Sequence, residues 1–142
     1  MNRINKIINS IAILVVFFAL SFSIFFWWSF LYPIKTVTLL EPIRVSPQVV
    51  QCGERISVYI HFNKHTDIKP IVKYYLINSE VRELSSDSTR RPIGESTVVR
   101  FFDTPCVNGG GLYKVQVDLT YQLYPWRTVN HSWSSNEFRI IH

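Results

Sequence analysis

From Ile7 to Ile34 the sequence carries no charged side chain, and from Thr36 onward every region carries some. That contrast divides the 142 residues into an apolar amino-terminal segment and a polar domain of about a hundred residues. The apolar core, Ile11 to Tyr32, is 22 residues long. As an α-helix it would span about 33 Å, enough for the hydrocarbon layer of a bilayer. A secretory signal would instead show a shorter apolar stretch and a small-residue cleavage site. The only cleavage-like triplets are Ala19-Leu20-Ser21 and Ser21-Phe22-Ser23. Cutting there would leave Phe25, Phe26, Trp27 and Trp28 at the new amino end, so a retained anchor fits better. In that reading Trp27, Trp28 and Tyr32 form an interfacial aromatic belt, Pro33 stops the helix, and Lys35 sits among headgroups. The expected division is a short cytoplasmic amino terminus (1–10), a transmembrane helix (11–32) and an extracytoplasmic domain (33–142).

Arg3 and Lys6 precede the span and Lys35 and Arg44 follow it, so the positive-inside bias is slight. The cysteines add to it. Cys52 and Cys106 are the only two, and both lie in the polar domain. An even pair in a small β-rich domain fits a disulfide in an oxidising compartment. The expectation is a single-pass protein of the inner (plasma) membrane, amino end in the cytoplasm, domain in the periplasm or outside the cell. The competing reading is a cytosolic domain with two buried free thiols.

A net charge of +5 raises the question of nucleic acid. Three of the basic residues flank the span, and from Thr36 onward twelve Lys/Arg face ten Asp/Glu. The longest basic run is Arg90-Arg91, so no nucleic-acid partner is expected.

Strand signals dominate after residue 36. "ERISVYIHFN" alternates, with Ile56, Val58, Ile60 and Phe62 on one face and Arg55, Ser57, Tyr59 and His61 on the other. "GLYKVQVDLTYQLYP" puts Tyr113, Val115, Val117, Leu119, Tyr121 and Leu123 on one face over a longer run. Weaker strands are "KTVTLL", "IVKYYLIN", "STVVRFF" and "NEFRII", separated by the turn-rich stretches "SPQ", "NKHTDIKP", "SSDSTRRPIG", "DTPCVNGGG" and "YPWRTVNHS". The expected fold class is all-β: an immunoglobulin-like antiparallel sandwich of six to seven strands preceded by one amino-terminal transmembrane helix.

In that topology the second and sixth strands run parallel, one in each sheet. Cys52 just precedes one and Cys106 the other, so both would sit at the same end. A bridge between them would close a loop of about 55 residues, worth on the order of 4 kcal/mol in the chain-entropy model. It would not be the mid-strand bridge of antibody domains, and Tyr74 or Tyr75 stands where a third-strand tryptophan would be. The same topology puts the "RVSPQVVQCG" and "DTPCVNGGG" turns at the far end, joined by "RELSSDSTRR". Arg90, Arg91 and Asn108 are thus candidate distal-loop contacts. "NKHTDIKP" and "YPWRTVNHS" would face the membrane, with Trp126 and Arg127 on headgroups, or Trp126 capping the core.

Catalytic chemistry finds no support. His61 and His65 are four apart, a metal spacing on a helix; on a strand they lie about 13 Å apart. "NGGG" lacks the Gly-Lys-Ser/Thr ending of a phosphate loop and leads into a strand. No serine occupies a nucleophile-elbow pattern, no C-x-x-C pair exists, and nothing marks Asp103 and Asp118 as an acid–base pair. Asn130-His131-Ser132 is a glycosylation sequon, meaningful in a eukaryotic secretory pathway. No enzyme, metal or cofactor is expected. The anchor contains no glycine, so a small-xxx-small dimer seam is not expected either.

Three stretches, "SPQVVQCGERISVYIHFNK", "GGGLYKVQVDLTYQLYP" and "RTVNHSWSSNEFRII", cover roughly 50 of the 142 residues. Together they resemble small phage-encoded, membrane-anchored proteins with a β-sandwich ectodomain. Where such proteins often carry Pro-Gly before the second strand, this sequence has Cys52-Gly53. The resemblance implies a prokaryotic host envelope and no activity to inherit. The expected function is a noncatalytic recognition or scaffolding module, touching membrane lipid and an envelope or virion protein. Exclusion of competing phages, lysis control or a place in a virion membrane would each use such a module. The alternatives are a periplasmic small-ligand or metal carrier using His61 and His65, or a noncatalytic subunit of a membrane enzyme complex.

Overall fold

The computed structural model describes residues 2–106 and 110–141, which form two compact units divided between Ile34 and Lys35. The first unit is one helix, α1 (Asn2–Leu31), long and apolar enough to cross a membrane. It begins at Asn2, ahead of the expected span at 11–32, because Arg3, Lys6 and Ile7 are compatible with helix and nothing between them breaks it. Ser23 hides its hydroxyl within the helix by donating to Ala19 O at 2.8 Å. Tyr32 precedes Pro33 and is thereby steered out of helical geometry, which ends α1 at Leu31.

Among the described residues the second unit holds ten strands, where six to seven were expected, because the edges of both sheets are made of short pieces: β1 (Val37–Leu39), β2 (Arg44–Ser46), β3 (Val49–Gln51), β4 (Arg55–Lys64), β5 (Ile71–Ile77), β6 (Val81–Asp87), β7 (Gly94–Asp103), β8 (Gly111–Tyr124), β9 (Arg127–Ser134) and β10 (Phe138–Ile141). They form two sheets packed face to face. In the first, β4 pairs with β7 along one side and with β1 and β2 in turn along the other. In the second, β8 pairs with β5 on one side and with β9 and β10 on the other; β6 extends the sheet beyond β5, and β3 beyond β10. The alternation read from β4 and β8 holds. Ile56, Val58, Ile60 and Phe62 meet Tyr113, Val115, Val117, Leu119 and Tyr121 in one core, joined by Tyr74, Leu76, Phe138 and Ile140.

One pairing departs from the expected antiparallel sandwich: β3 runs parallel to β10. Between β2 and β3 the chain passes from the first sheet to the second through the cis Ser46–Pro47 peptide. Proline offers no N–H, so the ladder to β4 stops there. The chain then continues in the same direction and lands beside a strand running the same way. The two sheets are also tied by Asn136, whose Oδ1 accepts from Val45 N at 2.8 Å and whose N donates to Ile43 O at 3.3 Å.

Cys52 and Cys106 form a disulfide with Cα atoms 4.8 Å apart. The surrounding backbone is tied as well. Gly53 N donates to Thr104 O, Thr104 N to Glu54 O, and Cys52 N to Ile141 O. Gly53 turns the chain with a φ of 83°, where a side chain would strain the backbone. Gly110 is needed for a different reason: a Cβ there would meet Ile140 O at 2.6 Å.

Candidate functional site

The outer face of the first sheet carries the candidate site. Alternation turns Arg55, Ser57, Tyr59 and His61 outward from β4, and the register sets Asp103, Phe101, Val99 and Thr97 of β7 opposite them. Tyr59 and Val99 are therefore direct neighbours, and Phe101 lies diagonally beside Tyr59. They are 43 %, 38 % and 62 % exposed. A tyrosine, a valine and a phenylalanine side by side on a rigid surface make a patch of the kind that marks contact sites.

Charge rims the patch at both ends. At one end Arg55 Nε donates to Asp103 Oδ1 at 3.1 Å. At the other, the interruption between β1 and β2 lifts Glu41 over the sheet, pinned where Leu40 N donates to His61 O at 2.9 Å. His61 then stands between two carboxylates, Nε2 at 2.7 Å from Glu95 Oε1 and Nδ1 at 3.5 Å from Glu41 Oε1. The hydrogen bond to Glu95, with a smaller one to Glu41, raises the imidazole above its ordinary pKa. Arg44 reaches the same Glu41 at 3.2 Å. Beside the patch an open groove of about 970 Å³ runs along β2, bounded by Tyr59, His61, Glu41, Arg44, Gln48 and Asn136. The surface offers apolar contact and hydrogen bonds.

The interior is a poorer site. A cavity of about 40 Å³ lies between the sheets, lined by Phe62, Val98, Leu119 and Tyr121, with Lys64, Asp87 and Arg100 toward one side. That volume suits a water molecule or two, while small-ligand pockets run to hundreds of Å³. Lys64 is almost wholly out of solvent and donates its Nζ to Arg91 O at 2.7 Å; burial lowers its pKa. Arg100 pairs with Asp87 across the sheets.

The site residues expected from the sequence fall variously. Trp27 and Trp28 lie in the closing turns of α1, Trp28 stacks on Tyr32 at 4.2 Å, and Lys35 is exposed at the start of the domain. Arg90 and Arg91 do not lie beside the disulfide. The polar stretch expected to be a loop contains β6, which recrosses the domain antiparallel to β5 and carries Arg90 and Arg91 to the opposite end. There Arg90 pairs with Asp67. Asn108 lies outside the described residues. His61 and His65 are engaged separately, His65 with Thr38 Oγ1 at 2.9 Å. Among the described residues no three His, Cys, Asp or Glu side chains converge as metal ligands would. Trp126 is 53 % exposed and stacks on Tyr124, so it does not cap the core. Sequence alone does not single out the Tyr59–Val99–Phe101 patch. The outward phase of Tyr59 is legible, but its neighbours depend on register between strands about 40 residues apart.

No family model matches the chain, and no curated protein matches it. Among solved structures, it is similar to the Pseudomonas fluorescens alkylpurine DNA glycosylase AlkC bound to DNA containing an abasic site analog. The two share 18% identity and a TM-score of 0.49, over 75% of this chain and 30% of that one. It is similar to Spo0M, a sporulation control protein from Bacillus subtilis, at 12% identity and a TM-score of 0.42, over 75% of this chain and 50% of that one. A third is the CARDB domain of a Pyrococcus furiosus protein in complex with di-metal ions, at 15% identity and a TM-score of 0.38, over 78% of this chain and all of that domain. Likenesses of this order carry nothing about function.

Proposed function

We propose that the chain is a noncatalytic recognition module held at a membrane by α1. The observation that carries this reading is the Tyr59–Val99–Phe101 patch, exposed on a rigid sheet and rimmed by Arg55–Asp103 at one end and Glu41–His61–Glu95 at the other. Aromatic anchors inside a polar rim are how protein contact surfaces concentrate binding energy. The partner is a protein of the envelope or of a virion membrane, and the chain is phage-encoded. The domain is of the immunoglobulin type. Support comes from β1/β2, β4 and β7 facing β9/β10, β8, β5 and β6, with a disulfide linking the approaches to β4 and β8. The amino end is cytoplasmic and the domain lies in the periplasm or outside the cell, as the disulfide favours.

The test is site-specific photo-crosslinking in membranes of the producing cell. Benzophenone at Phe101 should capture one discrete protein. The same probe at Thr120, on the outer face of the second sheet, should not. Capture at both positions alike, or at neither, would remove this face from consideration. Phe101→Ser should abolish capture from a probe at Val99 while leaving the folded domain intact, since Phe101 is mostly exposed.

A further inference from the structure

The end of the domain where Thr36 enters is formed by residues 65–70, 88–93 and 124–127, together with Lys35. It holds five basic side chains, Lys35, Lys69, Arg90, Arg91 and Arg127, and one acid, Asp67. The rest of the domain holds eight basic and nine acidic side chains. The domain's net positive charge is therefore concentrated at this end, at four net charges against minus one elsewhere. The same end exposes Ile93 (60 %) and Trp126 (53 %), with Trp126 stacked on Tyr124 at 5.6 Å between ring centres. Both rings sit at the hairpin tip, where Tyr124 and Arg127 form the last β8–β9 pair, and neither belongs to the core.

Basic side chains interleaved with exposed tryptophan and tyrosine match a charged lipid surface, where the cations meet phosphates and the rings settle at headgroup depth. We propose that this end docks on anionic lipid headgroups, through Trp126 and Ile93 with Lys35, Lys69, Arg91 and Arg127 around them. The proposal rests on reading α1 as a membrane anchor. Lys35 is only four residues beyond Leu31, so an anchored helix tethers this end of the domain to the bilayer by a short link. Docking would present the outer face of the first sheet in a fixed attitude and restrain the tether.

The full chain should be reconstituted in nanodiscs of phosphatidylcholine, with and without phosphatidylglycerol, and its amide exchange followed. Exchange at residues 88–91 and 126–127 should slow about tenfold in the anionic discs and recover at high salt, as screening predicts. The loop at Ser79–Glu80, at the disulfide end, should not change. A Trp126→Ser, Arg91→Gln variant should lose the slowing while β4 and β8 stay protected, which separates lost docking from lost folding. Equal exchange in both lipids, with the chain floating with the discs, overturns the docking alone. Slowing in both lipids alike, measured against the chain in detergent, overturns the choice of anionic lipid. A chain that does not float with the discs overturns the anchor reading and the docking with it.

Discussion

His61 sits where its charge is set by its neighbours. The carboxylate of Glu95, and then that of Glu41, stabilise the imidazolium and raise its pKa above 6.5. Such a group stabilises the fold fully below the unfolded pKa, and the contribution disappears as pH rises through the folded value. His131 behaves oppositely: burial lowers its pKa, and its Nε2 lies 2.7 Å from Thr36 Oγ1. Its effect is therefore a loss of stability as pH falls through the ordinary histidine range. The two pull against each other in the whole protein, so the useful quantity is a difference between variants. His61→Gln should lower the melting temperature most near about pH 5.5, and the gap should close by about pH 8. A gap that is constant with pH, followed by circular dichroism, would show that the carboxylates do not hold a charged His61.

The long strands are legible because each has one face in the core. From Ile56 to Phe62 in β4 and from Tyr113 to Tyr121 in β8 every second side chain is apolar, and those are the buried ones. β6 has no such face. Among the described residues it is an edge strand paired with β5 alone, and Arg82, Glu83, Ser85, Ser86 and Asp87 leave no alternation to read. Its existence is decided by β5's free edge, which is a tertiary fact. β9 does carry a signal: Val129, His131 and Trp133 share the inward phase, but a histidine and a tryptophan among serines and asparagines read as a loop. The candidate site is half legible for the same reason. Tyr59 and His61 can be placed outward, while Val99, Phe101 and Glu95 reach them only through the β4–β7 register. At this scale Gly110 offers a clean test. Gly110→Ala would drive a Cβ into a backbone carbonyl of β10, which has no rotamer to change. Its urea midpoint should drop by the equivalent of about 2 kcal/mol. An unchanged midpoint would mean that β8 and β10 have room to separate at their ends.

For the whole molecule, compartment and covalent structure stand or fall together. A membrane-impermeant thiol reagent applied to intact cells should label the chain only after reduction, because both cysteines are held in the bridge. Labelling that needs permeabilisation but no reductant would put the domain in the cytoplasm with free thiols. Reduction should also cost stability on the order of 4 kcal/mol for a loop of this length. The parallel pair has a consequence in time. β3 is made early in the domain, yet among the described residues its strand partner is β10 alone, so residues 49–51 wait for residues 139–141 to be synthesised. A hairpin can zip as it leaves the ribosome; this pair cannot. Cys52 and Cys106 both emerge before β10 does, and Cys52 N later bonds to Ile141 O. Oxidation can thus secure the turn after β3 while the seat for the final strand is still empty, leaving the arrival of β10 as the step that closes the second sheet.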